Sequence, residues 1–390
     1  MNQGKTIFAQ LMALIPHNDF HRCVQRYGGD RRTRSFSCWD QFLALAFAQL
    51  TYRESLRDIE ACLGAVPDKL YHMGLRCGPV SRSTLADANE RRDWRIFADF
   101  AQVLIAEARR LYTDEPWALE LEQAVYALDS TIIDLCLSVF PWARFRSTKA
   151  GIKMHTLLHL RGNIPTFVWV TDARTRDERI LDLLVPDPGS IYVMDRGYID
   201  FERLYQLHQG RAMFVIRARK NLRFNRRYSH QVDRSTGLVC DQTILLALEK
   251  SRDRYPEPLR RIGYQDPETR QRFTFLSNDF LLPALTVAEL YRQRWQIELF
   301  FKWMKQHLRI KAFYGTSINA VCTQIWVAIS AYVLVAIVRK RLRSDRDLYT
   351  LLQILSITLL EKLPLAQALA DPGYTFIDTD IHNQLQLFHL

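Results

Sequence analysis

The amino-acid sequence predicts an α/β protein in which a helical N-terminal region precedes one mixed β-sheet. Residues 1–118 show the spacing of apolar positions that is typical of helices. From about residue 122 the pattern changes to short apolar or alternating runs, which indicate three strands, helix, strand, helix and strand. With 390 residues, 48% of them hydrophobic, the chain is long enough for two or three domains with sizeable cores. This composition excludes a disordered or fibrous protein.

The N-terminal domain, residues 1–118, is predicted to be helical and to bind DNA. Residues 55–63 have helical period, and Ser83 is the expected N-cap of a later helix. Two hypotheses stay open. Residues 52–57 and 80–85 form a helix-turn-helix-like pair, despite the long segment between them, or the region is an all-helical packing domain. A local group of arginines favours phosphate contact: Arg22, Arg26, Arg31, Arg32 and Arg34.

Five strands are predicted in the middle of the chain, with two helices between the later ones. A short helix is expected over 177–184, and Asp200 is the expected N-cap of a helix that runs to Gln209. The predicted strands are 124–133, 151–160, 164–170, 190–194 and 212–217.

The rest of the chain is predicted to add a basic β-rich segment and then helices. Thr286 and Glu289 form a capping-box pattern, which predicts a long helix from Thr286 to about Ile310. A further helix is expected over 347–362. The β-rich segment opens with six basic residues and no acid: Arg217, Arg219, Lys220, Arg223, Arg226 and Arg227.

Residues 321–338 form an apolar stretch that could imitate a membrane span. Polar residues interrupt it and no second span accompanies it, so a buried core helix is the better interpretation. The seven cysteines are an odd number without a Cys-x-x-Cys pair, and no basic-then-apolar signal segment begins the chain. We therefore expect a soluble cytoplasmic protein with reduced cysteines and no membrane partner.

The charge of the chain is basic and localised. The 53 Lys and Arg residues exceed the 42 Asp and Glu residues, which gives a formal net charge of +11. Residues 217–345 alone hold 24 basic and 11 acidic residues, a surplus of 13 that exceeds the net charge of the whole chain. A field of this kind favours a polyanionic partner, although it says nothing about fold.

Three carboxylates are candidates for chemistry because of where they fall. Asp129 lies inside an apolar strand and Asp195 directly follows another, positions where an unpaired charge is costly unless it is paired or binds a metal. Glu298 lies on the long helix. At about 100° per residue, Tyr291, Arg294, Glu298 and Lys305 share one sector of that helix. The alternative is ordinary surface ion pairing of Glu298 with lysines further along the helix.

This pattern resembles the DDE transposases of bacterial insertion sequences, specifically the group with a Tyr-x2-Arg-x3-Glu-x6-Lys signature. All four signature positions match at Tyr291, Arg294, Glu298 and Lys305. The segments Leu128-Asp-Ser-Thr and Met194-Asp-Arg-Gly-Tyr are similar to the first and second carboxylate motifs of the family. Asn2-Gln-Gly-Lys and residues 83–89 are similar to its N-terminal domain, so the resemblance spans nearly the whole chain.

The resemblance implies a ribonuclease H-like catalytic core, the fold of retroviral integrases. In that fold the three acids lie on the first strand, after the fourth strand and on a later helix, and the predicted strands place Asp129, Asp195 and Glu298 at those positions. The expected domains are therefore the helical N-terminal domain (1–118), the catalytic domain (119–218 and 279–345), a basic β-rich insertion (219–278) and a C-terminal helical tail (346–390).

The chemistry that the resemblance implies is cleavage of the element ends and their joining to target DNA, through a hairpin in a cut-and-paste reaction. Asp129, Asp195 and Glu298 would bind two Mg²⁺ ions, for which Mn²⁺ can substitute, because hard carboxylate oxygens suit such ions. Tyr291, Arg294 and Lys305 would contact backbone phosphate. Arg196 is a further phosphate contact or a partner of Asp195.

The implied partners are double-stranded DNA, as the terminal inverted repeats and the target, and a second copy of the chain on paired ends. A cytoplasmic location with the nucleoid follows. Two other functions stay open: a ribonuclease H-like DNA nuclease without strand transfer, and a non-catalytic DNA-binding regulator. A zinc site at His155 and His159 is disfavoured because their surroundings indicate a strand. Three further acids could join the site, although a capping or turn role is the better interpretation of each: Asp134, Asp172 and Asp177. Four aromatic residues of the basic segment are candidates for base stacking, and none is assigned that role: Phe224, Tyr228, Tyr264 and Phe273.

Overall fold

The structure is a computed structural model that describes residues 4–370 except 32, 77, 116, 118, 120 and 308–312. The chain divides into two compact units. One contains Met1–Leu104 and Trp326–Leu390, and the other is Ile105–Ile325.

Helices and strands are numbered in chain order within the described residues. The helices are α1 (Ile7–Met12), α2 (His17–Tyr27), α3 (Cys38–Leu50), α4 (Leu56–Gly64), α5 (Pro67–Leu70), α6 (Arg82–Arg91), α7 (Arg95–Leu111), α8 (Phe201–Gln209), α9 (Glu249–Arg254), α10 (Ala284–Gln293), α11 (Trp295–His307), α12 (Ile318–Arg341), α13 (Leu348–Thr358) and α14 (Leu365–Leu369). The strands are β1 (Val125–Leu135), β2 (Arg144–Arg146), β3 (Lys149–His159), β4 (Ile164–Asp172), β5 (Ile191–Met194), β6 (Met213–Arg217), β7 (Phe224–His230), β8 (Leu238–Leu246), β9 (Leu259–Gln265) and β10 (Arg272–Ser277).

The unit formed by the chain ends is helical, as the sequence predicts for its N-terminal part. Ser55 caps α4, because its side chain accepts a hydrogen bond from the backbone N–H of Asp58. The predicted N-cap at Ser83 is wrong. Ser81 has extended backbone and accepts from the N–H of Thr84, so it caps α6 and Ser83 lies within the first turn.

The arginines grouped near the N-terminus differ in their surroundings. Arg22 and Arg26 form ion pairs with Asp19 and Asp99 within the unit. Arg31 and Arg34 are exposed, and Arg32 lies outside the described residues. Internal pairing therefore neutralises part of this group.

The apolar stretch near residue 330 forms α12. By length and composition this helix could cross a membrane, but its most apolar 18-residue window is completely buried. Its hydropathy is thus that of a core helix of the folded chain, as expected from the interrupting polar residues.

The second unit is built on one mixed sheet of ten strands within the described residues. Its order is β2-β3-β1-β5-β6-β10-β9-β8-β7, and β4 pairs with β3. Strand β1 is antiparallel to β3 and parallel to β5, which is parallel to β6. All four residues of β5 are buried, as are the first four residues of β1, which suits strands in the middle of a sheet that is covered on both faces.

All five predicted strands are present, as β1, β3, β4, β5 and β6. The three-residue strand β2 was not predicted. A short 3-10 helix over Asp177–Leu183 occupies the position of the expected helix. Asp200 caps α8 as expected, with a side chain that accepts from the N–H groups of Glu202 and Arg203.

The predicted long helix from Thr286 to Ile310 is wrong at its start and in its continuity. The helix begins at Ala284 after Pro283, so Thr286 lies inside its first turn and caps nothing. A break at Arg294 then separates α10 from α11. Ile310 lies outside the described residues. The helix expected over 347–362 begins as predicted after Asp347, but α13 ends at Thr358 and a separate α14 follows Pro364.

The strands of the basic segment, β7 to β10, continue the same sheet. Strand β10 pairs antiparallel with β6 through Phe275 and Arg217. Within this part a buried ion pair joins β8 to β9, with Arg260 Nη2 lying 2.8 Å from Asp241 Oδ2. The segment is therefore held to the central strands by backbone hydrogen bonds.

Candidate active site

Asp129 and Asp195 are brought together by the parallel pairing of β1 with β5. The register places Leu128 opposite Met194, where β5 ends, so the next residues of the two strands are neighbours. Side chains that follow adjacent parallel strands meet at one edge of a sheet, which is where ligands bind in α/β folds. The two aspartates thus share one end of the sheet.

Arg294 joins Glu298 to this pair of aspartates. Its Nη1 donates to Asp129 Oδ2 at 2.6 Å, and its Nη2 donates to Glu298 Oε1 at 2.6 Å. The side chain of Arg294 is only 15% exposed. The guanidinium is therefore a buried cation between two carboxylates.

The other two residues of the predicted helical row also reach the end of the sheet. Tyr291 Oη donates to Asp195 Oδ1 at 3.1 Å, and Lys305 Nζ donates to the carbonyl oxygen of Ile132 in β1 at 2.7 Å. The break between α10 and α11 is a single turn. In it the backbone N–H of Arg294 donates to the carbonyl of Tyr291, and the backbone N–H of Ile297 donates to the carbonyl of Arg294. The row predicted on one helix therefore meets the two strand aspartates across this turn.

Burial dominates the electrostatics of the acidic centre. It raises the pKa of Asp129 from 3.8 to about 6, against the opposing effects of Arg294 and of the Ser130 N–H. The charges of Asp195 and Glu298 raise that pKa further, so the three carboxylates lie within one another's field. Burial also raises the pKa of Tyr291 to about 12, so its phenol is protonated and donates to Asp195 at neutral pH.

A polar network that the sequence did not predict begins at Ser130, whose backbone N–H donates to Asp129 Oδ1 at 2.8 Å. Ser130 Oγ donates to Asp177 Oδ1 at 2.7 Å, and Lys153 Nζ donates to the same oxygen at 3.2 Å. Lys153 also donates to the carbonyl of Thr175 at 2.7 Å. Asp177, for which a capping or turn role is the better interpretation of the sequence, therefore ties β1, β3 and the 3-10 helix together beside the acidic centre.

Two family models match parts of this chain. Residues 120–334 match the family described as the transposase DDE domain, and residues 3–76 match a domain of unknown function, DUF4372. The chain belongs to the transposase DDE domain family. It is a transposase, as its relatives are also named.

Three relatives resemble this transposase over more than half of its length. A putative transposase of Sinorhizobium fredii is 34% identical over 65% of this chain and 70% of its own. A probable transposase for an insertion sequence element of Geobacillus stearothermophilus is 29% identical over 56% of this chain and 57% of its own. A putative transposase for an insertion sequence element of Synechocystis is 24% identical over 67% and 73%. A piggyBac transposase synaptic complex with hairpin DNA gives a TM-score of 0.47 at 12% identity over 93% of this chain and 82% of that one.

The transposase has carboxylate donors of the right type for a divalent metal, but Tyr291 and Arg294 donate hydrogen bonds to them in the structure. Within the described residues, no three His, Cys, Asp or Glu side chains are gathered closely enough to form a metal site. Asp129 and Glu298 are instead joined through Arg294, and Asp195 accepts from Tyr291. Carboxylate oxygens are the donors that a hard divalent ion prefers, so the donor type fits such an ion, whereas the arrangement among the described residues does not gather three of them around one point.

The two histidines considered for zinc serve other contacts in the transposase. His155 Nε2 lies 3.0 Å from Thr171 Oγ1, and His159 Nδ1 lies 2.8 Å from the carbonyl of Arg161. Burial lowers the pKa of His155 to about 4, so it is neutral at physiological pH. Both lie on β3, as their alternating surroundings predicted.

Two cavities adjoin the acidic centre of the transposase. A cavity of about 340 Å³ lies beside Glu298, with Phe273, Phe275, Tyr291 and Trp295 in its wall. Trp295, which is 57% exposed, begins α11 and so lies outside the basic segment in which stacking aromatics are expected. Arg196, which directly follows Asp195 and is exposed, lines a second and smaller cavity.

Proposed function

We propose that this transposase cuts the ends of an insertion sequence and joins them to target DNA, with Asp129, Asp195 and Glu298 as the ligands of two Mg²⁺ ions. The observation that carries the proposal is the convergence of these carboxylates at one end of the sheet. Mn²⁺ would substitute for Mg²⁺, since both ions take oxygen ligands. Bound there, the ions would activate the attacking oxygen and stabilise the leaving one.

The proposed catalytic fold is ribonuclease H-like, in the group with the Tyr-Arg-Glu-Lys signature. The strand order β4-β3-β1-β5-β6 supports it, with β1 antiparallel to β3 and parallel to β5. The acids at Asp129, Asp195 and Glu298 occupy the first strand, the end of a later parallel strand and a following helix. Residues 119–218 and 279–345 would then form the catalytic domain and 219–278 its insertion.

Tyr291 and Arg294 would have two successive roles. In the structure they neutralise or orient carboxylates, since Arg294 is bound to Asp129 and Glu298 and Tyr291 to Asp195. Contact of either side chain with a DNA phosphate requires that the carboxylates no longer hold it. The guanidinium fork suits bidentate phosphate binding once it is released. Lys305 and Arg196 would add contacts to the same strand.

The proposed partners are the terminal repeats, the target DNA and a second copy of the transposase, each copy acting on one end. Cleavage would proceed through a hairpin and release the element for a cut-and-paste reaction. The helical domain 1–118 would contact the repeats, with exposed Arg31 and Arg34 available for phosphate. A transposase of this kind would act in the cytoplasm at the nucleoid.

The test is cleavage and joining of a linear DNA that carries the inverted repeats flanking the gene. The wild-type chain with Mg²⁺ should cut at the repeat ends and join the 3′-hydroxyl ends to a target plasmid. Asp129→Ala and Glu298→Ala should abolish both steps. Asp134→Ala is the matched control, because Asp134 lies on the same strand β1 but is exposed.

Three outcomes would contradict the proposal in different ways. Full activity of Asp129→Ala or Glu298→Ala would exclude these carboxylates as metal ligands. Cleavage without joining would identify a nuclease. Footprints on the repeats with DNA that stays intact after prolonged incubation with Mg²⁺ would identify a DNA-binding regulator.

A further inference from the structure

We propose that a basic cavity at the junction of β6, β10 and β9 binds a phosphodiester of the DNA strand that leads away from the acidic centre. The cavity measures about 140 Å³, and the inference rests on the proposed function for the identity of that DNA. Six cations line this basic cavity: Arg196, Arg217, Arg219, Lys220, Arg261 and Arg272.

The sheet explains why these cations converge. Strand β5 ends just before Asp195 and Arg196, and its parallel neighbour β6 ends at Arg217, so both strands deliver side chains to the same edge. Strands β10 and β9 follow next in the sheet and add Arg272 and Arg261. The backbone N–H of Ala218 bonds to the carbonyl of Thr274 at 2.8 Å, which fixes the chain after β6 against β10.

The positive charge of the basic cavity is held in place without being neutralised. Neutral groups position its arginines. Arg261 Nη1 lies 2.9 Å from Gln242 Oε1, and Arg219 Nη2 lies 3.1 Å from the carbonyl of Ile199. Arg217 stacks on the ring of Phe273 at 5.0 Å. Across the described part of the chain, none of the six cations forms a salt bridge, and no acidic residue lines the cavity.

Other arginines of the same unit show the contrast. Arg260, in the same strand as Arg261, is paired with Asp241, and Arg203 is paired with Asp182 and Asp200. Acidic residues therefore pair with these structural arginines, whereas no acidic residue lines the basic cavity. Six like charges repel one another, and an anion that enters from outside would relieve that repulsion.

The basic cavity adjoins the larger cavity beside the proposed active site. Arg217 also lines the larger cavity that contains Tyr291, Arg294 and Glu298, so its side chain is a shared wall. A strand whose scissile phosphate lies at the carboxylates would therefore meet Arg217 next and the basic cavity after it.

The size and donors of the basic cavity favour a phosphate group as its occupant. A volume of about 140 Å³ is below the 300 to 1,000 Å³ that is usual for small-molecule sites. Guanidinium groups bind phosphate oxygens through paired N–H donors, and the exposed ammonium of Lys220 adds a point charge. The DNA backbone supplies such phosphates, and the repeated charge of the polymer makes its binding depend on salt.

The experiment measures the salt dependence of DNA binding by the full-length chain. The probe is a short fluorescein-labelled duplex that carries one flanking inverted repeat, in EDTA, with all variants in an Asp129→Ala background. The test variant is Arg219→Gln with Lys220→Gln, both exposed residues. The matched control is Lys250→Gln with Arg252→Gln on α9, also exposed and with the same loss of charge but outside the basic cavity.

We expect the slope of log K against log salt to become shallower by about 1 to 2 in the test variant, since each lost phosphate contact contributes about 0.9. The control should keep the slope of its parent. Arg219→Lys keeps the positive charge and should therefore keep most of the parent's slope. Equal slopes in the test variant and the control would overturn the inference. Binding is measured without Mg²⁺ and so does not depend on cleavage. If the test variant changes the slope as expected but the wild-type chain does not cut DNA in Mg²⁺, the proposed function alone is refuted.

Discussion

Replacing Arg294 with glutamine tests whether this side chain is the internal counter-ion of the acidic centre. The change removes the only cation that joins Asp129 to Glu298 among the contacts of the described residues. Loss of one partner from a buried ion pair leaves an uncompensated charge, which typically costs about 3 to 5 kcal/mol. Asp129 is 20% exposed and Glu298 is 35% exposed, so water partly solvates both carboxylates and the expected loss is at the lower end, about 3 kcal/mol.

The loss should depend on pH in a direction that the pKa of Asp129 fixes. In the wild-type chain that pKa is about 6 when folded and 3.8 ordinarily, so the native state binds more protons between these values. The contribution of Asp129 to the free energy of unfolding therefore falls by about 3 kcal/mol as pH rises through that interval, and this contribution is constant at higher pH. Without Arg294 the folded pKa is higher still, so the decline continues above about pH 6.

The assay is urea unfolding of the Arg294→Gln variant and the wild-type chain in EDTA, at about pH 5 and about pH 8. The difference in unfolding free energy should be small at the lower pH, where Asp129 is largely protonated in both chains, and reach about 3 kcal/mol at the higher pH. Arg292→Gln is the matched control, because Arg292 is exposed on α10 two residues away.

Two results would refute this reasoning. A loss of equal size at both pH values would mean that Arg294 does not act through the titrating charge of Asp129. A loss no larger than that of Arg292→Gln would mean that water already solvates Asp129 and that the guanidinium is not needed to hold it.

Two further predictions concern single contacts. Asp241→Asn should lower the free energy of unfolding by about 3 kcal/mol, because it removes the negative charge that pairs with buried Arg260 and points an amide N–H donor at the guanidinium. The urea midpoint measures this loss, and Asp253→Asn on α9 is the control because Asp253 is exposed. Tyr291→Phe should cost only about 1 kcal/mol, since it loses the hydrogen bond to Asp195 and keeps its ring; a larger loss in a thermal melt would show that the phenol does more than donate this bond.

The five strands between residues 124 and 217 could be predicted because each is an apolar or alternating run with a clear end. Strand β5 is four buried residues followed by a charge, so both the strand and the position of Asp195 are visible in the sequence. The three residues of β2 carry no such period. The capping-box pattern at Thr286 failed because Pro283 allows an earlier start, since proline lacks the N–H that the first turn leaves unbonded.

The break at Arg294 was hidden for a different reason. One 3-10-type turn barely alters the spacing of apolar residues, so the periodicity of α10 runs into α11 without a visible interruption. The candidate residues could still be grouped by helical spacing. Which carboxylate each would contact depends on the docking of the helices against β1 and β5, and spacing alone does not determine that.

The polar network beside Asp129 could not be predicted from the sequence. Ser130, Lys153 and Asp177 come from three separate elements, and each alone resembles an ordinary strand or turn residue. Their contact arises because β3 pairs with β1 and the chain after β4 returns to the same edge. Sequence separation conceals such networks, whereas the apolar runs that form a sheet remain visible.

The basic surplus between residues 217 and 345 shows where composition stops being informative. Part of it is used internally, as Arg260 is by Asp241 and Arg294 by two carboxylates. The cations of the basic cavity have no such partners among the described residues, although their residue type is the same. Because the strands of the basic segment extend the sheet that carries Asp195, these unpaired charges lie next to the proposed chemistry. Net charge indicates the class of partner, and only the pairing of charges in the folded chain indicates where that partner binds.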